Sequence, residues 1–313
     1  MRNKVYKSGL TYYLVGLLGA LVLLTSLTPP DYWHPPDDSR IPAGWQGQQI
    51  RYGRDLIAHT AKYLGPKGSV RHLSNGMNCQ NCHLEAGTKV LGNNYSAVFS
   101  NYPKFRERSG SVETIVKRVS DCFERSLAGK APDSTSREMK AIVAYIQWLG
   151  ADVLKGQRPN GVGLVKLAYL DRAADSTKGR IVYVAKCQVC HGTKGEGIKV
   201  AGASEYLYPP MWGPNSYNDG AGLYRLSGFA GYVKNNMPFG ASYTNPQLTD
   251  DEAWDVAAFI NSMPRPHKDQ SSDWPVLASK PIDFPIGPYA DQFSEKQHKL
   301  GPFQPIADAR KVK

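Results

Sequence analysis

Apolar residues fall at helical spacing in several stretches of the chain, and polar or turn-forming residues separate them. A first helical stretch runs from Gln46 to Leu64. Between about Val112 and Leu127, the residues Val112, Ile115, Val116, Val119 and Phe123 form a stripe at three- and four-residue spacing, which predicts an amphipathic helix. A further helix is expected near Arg137 to Leu149, another over Ser176 to Ala185, and a last one over Thr249 to Met263. In that last stretch Trp254, Ala257, Ala258 and Ile260 carry the periodicity, and Thr249 with Glu252 makes a capping box. The order is repeated: helical stretch, Cys-x-x-Cys-His, closing helix, first around Cys79-Gln80-Asn81-Cys82-His83 and then around Cys187-Gln188-Val189-Cys190-His191. One unit used twice is the simplest organisation, with domains over 46–150 and 176–265 and a connection over 150–175. From Pro264 to Lys313 there are eight prolines and no long periodic run, so 266–313 is expected to be a tail lying over the surface.

The amino terminus has a different pattern. Arg2, Lys4 and Lys7 precede an uncharged, largely apolar run from Gly9 to Leu27, at the short end for crossing a bilayer and longer than the usual apolar part of a signal peptide. The exit reads Ser26, Leu27, Thr28, Pro29, Pro30, with no small-x-small cleavage pattern. Residues 1–28 are therefore expected to be an uncleaved anchor, the basic flank staying in the cytoplasm and the rest exported to the periplasmic side. A soluble periplasmic protein released by signal cleavage is the alternative. Prolines 29, 30, 35, 36 and 42 make 29–45 an extended spacer.

Composition adds limits. At 313 residues, with 41% hydrophobic and 21% charged, the chain is that of an ordinary globular protein of about two domains, which excludes disorder and a polytopic membrane protein. The formal charge of +11 suits an anionic surface, partner or substrate without choosing among them; a nucleic-acid partner is not expected. Five cysteines are too few for a disulfide scaffold, and their odd number leaves one outside any pairing.

Two Cys-x-x-Cys-His segments are not chance, since roughly 0.002 would be expected in a chain of this composition. The spacing has a chemical reason: each cysteine forms a thioether to one haem vinyl group, and the histidine is held beneath the iron as its proximal ligand. A thioredoxin-like pair would want a strand before the motif, whereas Cys187 follows a helix. A four-cysteine zinc site would leave His83 and His191 unexplained. The expected cofactors are thus two covalently attached haem c groups, and the expected fold is all-α, two tandem class I-like cytochrome c domains behind an N-terminal membrane anchor. Four propionates would offset part of the positive charge.

The opposite face of each iron needs a ligand. For the second haem Met237 is the leading candidate, because Pro238 and Gly240 make a stiff loop after Asn236; Met211 and Met263 are expected to be packing residues. The first unit has no comparable methionine: Met77 is too close to Cys79, and Met139 lies in the closing helix. Cys122 falls on the border of the apolar stripe, where its sulfur should face the core. Arg118 and Ser126, four residues to either side, share its face, and Arg108 lies just upstream. Cationic neighbours hold a cysteine as thiolate, the nucleophilic form; the alternatives are an inert core cysteine and an Arg118 that only holds a propionate.

These residues resemble the dihaem thiosulfate dehydrogenases, exported c-type cytochromes that form tetrathionate. The resemblance covers roughly Gln46 to Pro264. It rests on the two haem motifs, the segment from Arg118 to Ser126 around Cys122, Pro209-Pro210-Met211-Trp212-Gly213-Pro214, and Asn236-Met237-Pro238. It implies a catalytic first haem ligated by His83 and Cys122, with Arg108, Arg118 and Ser126 around the substrate, and an electron-transfer second haem ligated by His191 and Met237. Asn236 stands where some members have a lysine, so a lysine-to-methionine ligand exchange is not expected. The implied reaction joins two thiosulfates and passes two electrons from the first haem to the second and on to an external acceptor such as a soluble cytochrome or a membrane oxidase; the reverse, tetrathionate reduction, is also known in the family. Two rival readings are a membrane-tethered electron carrier with no substrate and a sulfur-carrier-processing cytochrome with a protein-docking groove.

Overall fold

Two helix pairs carry the fold, and in each the crossing point is a glycine. The structure, a computed structural model, describes residues 31–311. Helix α1 (Gly44–Ala58) leads into the short α2 (Thr60–Leu64); α3 spans Ile115–Arg125 and α4 spans Arg137–Leu149. In the second unit α5 is Ser176–Lys186, α6 is Leu226–Asn236 and α7 is Asp250–Ser262. A Cβ on Gly53 of α1 would lie 2.0 Å from the Ala141 carbonyl oxygen of α4, and one on Gly179 of α5 would lie 1.8 Å from that of Asp255 on α7. Backbones approach this closely only where a side chain is missing. Each pair builds its own core, with Leu56, Phe123, Met139, Ile142 and Tyr145 in the first and Tyr183, Phe229, Trp254 and Ile260 in the second.

The helix ends follow their local signals. Side-chain oxygens of Thr114, Ser136 and Asp175 cap α3, α4 and α5, and Thr249 with Glu252 closes the capping box of α7. The third helix starts later than the apolar stripe suggests, because Val112 belongs to a strand. Strand β1 (Lys104–Arg106) pairs antiparallel with β2 (Ser111–Glu113), and Phe105 faces Val112 across the ribbon. A second ribbon joins β3 (Ile198–Lys199) to β4 (Tyr206–Tyr208). The architecture is therefore helix-rich with two small ribbons rather than purely α.

The connecting and terminal segments are structural. From the connection over 150–175, the carbonyls of Gly161 and Gly163 accept from the N–H groups of Leu91 and Asn93, bracing the loop after the first motif. The expected surface tail instead contributes α8 (Glu295–Leu300) and α9 (Gln304–Lys311), and buries Phe303 and Ile306 in the second core. His298 is fully buried, stacked on Tyr289 at 3.7 Å between centroids. Its Nδ1 is 2.7 Å from the Ile282 carbonyl and its Nε2 2.9 Å from Asp291. Prolines broke the periodic pattern here, but a few large apolar residues suffice to dock a short helix.

The two units are hydrogen-bonded to each other. Tyr232 on α6 donates to the carbonyl of Asn81, inside the first motif, at 2.7 Å. Asn236, at the end of α6, donates to the carbonyl of Leu91 at 3.1 Å. The expected anchor at 1–28 lies outside the described residues; among those described, no helix is long and apolar enough to cross a membrane. Gly53→Ala and Gly179→Ala should each lower unfolding stability by about 1–3 kcal/mol through overpacking, read from denaturant midpoints; a midpoint equal to wild type in either variant would show that its crossing is loose.

Candidate active site

Both haem motifs hold their histidine in the same way. His83 Nδ1 lies 2.6 Å from the Asn93 carbonyl, and His191 Nδ1 lies 2.8 Å from the Pro209 carbonyl. A carbonyl only accepts, so Nδ1 carries the proton and the Nε2 lone pair is left for a metal. Burial pushes the His83 pKa down to about 4 and lowers that of His191, keeping both rings neutral as ligation requires. Tyr95 stacks on His83 at 4.4 Å between centroids.

The first motif is fastened from several directions. Thr60 at the start of α2 accepts from the Cys79 N–H at 3.0 Å and donates to the Leu56 carbonyl at 2.7 Å. Asn78 Oδ1 accepts from the Ala61 N–H at 2.8 Å, and the Asn78 N–H donates to Asn81 Oδ1 at 2.7 Å. Glu205, between the strands of the second ribbon, accepts from Asn78 Nδ2 at 2.8 Å. No two of the five cysteines are joined in a disulfide. Cys79 packs with the first core and Cys187 with the second, and among the described residues no three His, Cys, Asp or Glu side chains converge as a metal-binding group. The two cysteine pairs therefore do not form one zinc site.

Cys79, Cys82 and His83 line a cavity of about 1140 Å³, counting the part open to solvent. Its wall includes Ile57, Val119, Phe123 and Ile146, an apolar surface of the kind a porphyrin needs. Two thiols, a free imidazole nitrogen and apolar walls in one cavity fit haem c. Cys122 also lines it, half-buried on α3, together with Arg118 and Ser126, as expected from their shared helix face. The Cys122 sulfur is the largest influence raising the pKa of Arg118, with burial opposing it; a guanidinium so placed stays charged.

Three more cations line the cavity: Lys104, Arg106 and Arg158. Burial lowers the Lys104 pKa, and Arg106, Arg158 and Arg118 push it in the same direction. No Asp or Glu is among the cavity's described lining residues. The alternation Lys104-Phe105-Arg106 in β1 puts both cations on one strand face, a period-two signal that was open to reading in the sequence. Arg158 had none, because it arrives from the connecting segment.

Arg108, expected beside Cys122, is not among the lining residues. It sits at the turn of the β1–β2 ribbon, donates to the Gly220 carbonyl at 2.9 Å, and lies against Trp274 and Phe284 at 5.5 and 5.6 Å from their ring centroids. The tail that supplies those rings draws it away. Around the second motif, Met211, Met237 and Met263 all pack against the second core. The Met211 N–H donates to the Gly195 carbonyl at 2.8 Å, two residues after the Pro209 carbonyl that orients His191, which ties it to the histidine side. Met263 ends α7 and Met237 ends α6.

Two helical units, each presenting a Cys-x-x-Cys-His segment with a neutral, oriented histidine, define a dihaem c-type cytochrome, and one of its pockets holds a thiol among cations. The cytochrome c family matches residues 176–264, and the SoxA/TsdA cytochrome c domain family matches residues 70–153. The chain is 38% identical over 243 residues to the thiosulfate dehydrogenase of Psychrobacter arcticus, covering 77% of this chain and 71% of the relative. It is 35% identical over 235 residues to that of Stutzerimonas stutzeri, covering 75% and 73%. The solved thiosulfate dehydrogenase (TsdBA) of Marichromatium purpuratum, in its as-isolated form, superimposes with a TM-score of 0.69 at 32% identity over 76% of this chain. The match spans half of that longer chain. This protein belongs to the thiosulfate dehydrogenase family; it is an oxidoreductase with two covalently attached haem c groups.

Thr60→Val should leave the Cys79 N–H without an acceptor and destabilise the haem-loaded protein by about 1–3 kcal/mol. Chemical denaturation checks this, and a loss well below 1 kcal/mol would mean that the bond does not hold the motif.

Proposed function

We propose that this protein joins two thiosulfates into tetrathionate, with Cys122 as the reacting thiol. The observation that carries the reading is the first cavity: a third half-buried thiol, Cys122, beyond the two of the haem motif, with four cations and no carboxylate among its lining residues. An electron carrier without a substrate gains nothing from a thiol facing concentrated positive charge. The names of the relatives support the choice of substrate.

Cys79, Cys82, His83 and Cys122 would hold the first haem, and Cys187, Cys190, His191 and Met237 would hold the second. Bound haems would supply the one-electron acceptors for the two electrons released, on a route from the first unit to the second and on to an external acceptor, a soluble cytochrome or a membrane oxidase. The chain's own part is electrostatic and nucleophilic. Two thiosulfate dianions about 6 Å apart repel by on the order of 11 kcal/mol at an effective dielectric near 20. Arg118, Lys104, Arg106 and Arg158 oppose this repulsion. In the first half-reaction the Cys122 thiolate forms an S–S bond to the sulfane sulfur of one thiosulfate, and two electrons are removed. The adduct carries a single negative charge, so the repulsion toward the second dianion falls by about half. In the second half-reaction that dianion attacks the sulfane sulfur, tetrathionate leaves, and the Cys122 thiolate is restored. Ser126, one turn beyond Cys122, offers a hydroxyl to a sulfonate oxygen. Run backward, the same steps reduce tetrathionate.

The basic flank and apolar run of residues 1–28 support a site of action on the periplasmic side of the inner membrane, tethered there or released after cleavage.

Cys122→Ala should keep both haems, judged by absorbance, while tetrathionate formation with ferricyanide falls by roughly 10³ or more. Unchanged turnover in that variant would overturn the mechanism. Lys104→Met and Arg158→Met should each cost about 1–2 kcal/mol in kcat/KM for thiosulfate, mainly through KM and with a weaker salt dependence. Equal KM and equal salt dependence in both variants would remove these residues from the site.

A further inference from the structure

Outside the cavity, the least balanced charges lie where the tail crosses the first unit. Arg108 and Arg125 have side chains only 15% and 10% exposed, and they share one carboxylate: Arg125 Nη2 is 2.8 Å from Asp273 Oδ1, and Arg108 Nε is 3.9 Å from Asp273 Oδ2. A third buried cation, Lys280, also feels Asp273 and lies over the rings of Phe284 and Tyr289. Its ammonium group is satisfied by the Pro288 carbonyl at 3.0 Å. The other nearby carboxylates are engaged elsewhere, Glu124 with Lys268 at 3.2 Å and Asp219 with His267 at 2.7 Å. Burial, and then Arg125, push the Arg108 pKa down to about 10 against the pull of Asp273.

The hydrogen bonds are unbalanced in the same sense. Arg108 Nε, both Nε and Nη1 of Arg125, and Trp274 Nε1 are buried donors with no partner. The unpaired buried acceptors on this stretch of the tail are Asp273 Oδ2 and, on Gln270, whose Nε2 donates to Asp219 at 3.2 Å, Oε1. Arg125 and Trp274 are only 9% and 8% exposed, so bulk water does not satisfy these donors. Excess donors and excess positive charge in one buried place call for an anion with oxygen acceptors, because the guanidinium fork matches paired oxygens.

We propose that Arg125, Arg108 and Trp274 bind one anionic oxygen group, a carboxylate or a free oxyanion, in a site separate from the Cys122 cavity, and that this group fastens the tail to the first unit. Two sources share that chemistry. One is a propionate of the first haem: Arg125 is followed directly by Ser126, and Arg108 stands two residues after Arg106, both of which line the haem cavity. The other is a small oxyanion from solution.

The haem-loaded protein is compared with Arg125→Met and with Trp274→Phe, the second of which keeps the aromatic packing and removes a single donor. Two readouts are taken: the propionate-bending band in resonance Raman spectra, and the thermal midpoint in sodium sulfate against sodium chloride at matched ionic strength. If a propionate fills the site, the band of one haem shifts in both variants and the difference between the salts is the same as in wild type. If a free oxyanion fills it, sulfate raises the wild-type midpoint by more than it raises either variant's, and the band stays in place. Should Arg125→Met fail to fold, Trp274→Phe alone decides. Wild-type behaviour in both measurements would overturn the proposal.

Discussion

Four like charges around one cavity repel each other, and apolar walls make that repulsion stronger than it would be in water. The fold must hold Lys104, Arg106, Arg118 and Arg158 there against it. It does so by taking them from three separate pieces of chain. Arg118 is placed by α3, whose start is capped by Thr114; Lys104 and Arg106 come from a ribbon strand; Arg158 comes from the segment between the two units. No carboxylate is among the lining residues, and the one paired with a lining cation, Glu113, stands 3.9 Å from Arg106. Cys122 shares the face of Arg118 one turn along the same helix, which keeps a thiol within the field of that guanidinium.

The second unit serves the first as well as itself. Tyr232 bonds to the carbonyl of Asn81 within the first motif, Glu205 holds Asn78 just before it, and Asn236 bonds the loop that begins at Leu91. Asn93, two residues further along that loop, orients His83. The helix that ends at Met237 is therefore hydrogen-bonded to the first motif and to the loop that follows it. The tail adds a further clasp, with the backbone N–H of Trp274 donating to the Arg108 carbonyl at 2.7 Å and Asp273 reaching Arg125.

Much of this was legible in the amino-acid order. The two Cys-x-x-Cys-His segments, the helices that frame them, the capping box at Thr249 and the grouping of Arg118, Cys122 and Ser126 on one helix face are local facts. Each depends on residues within about one or two turns of each other, where periodicity determines direction. Arg108 was misplaced because its neighbours in sequence lie near the cavity while its neighbours in space are tail residues. Arg158 went unnoticed because nothing in a connecting segment marks which side chain turns inward. The tail looked like a surface strap because prolines erase periodicity without removing the apolar side chains that a core can still use.

The sequence by itself determined the chemistry of attachment, the doubling of the unit and the presence of a thiol set among cations on a helix. Only the tertiary structure decided which cations share a cavity with that thiol, which carbonyls orient the histidines, and where Arg108 and the tail come to rest. The division has a physical cause. Covalent spacing and helical periodicity act over a few residues, whereas burial and charge balance are set by groups such as Arg125 and Asp273, more than a hundred positions apart, that meet only when the chain has folded.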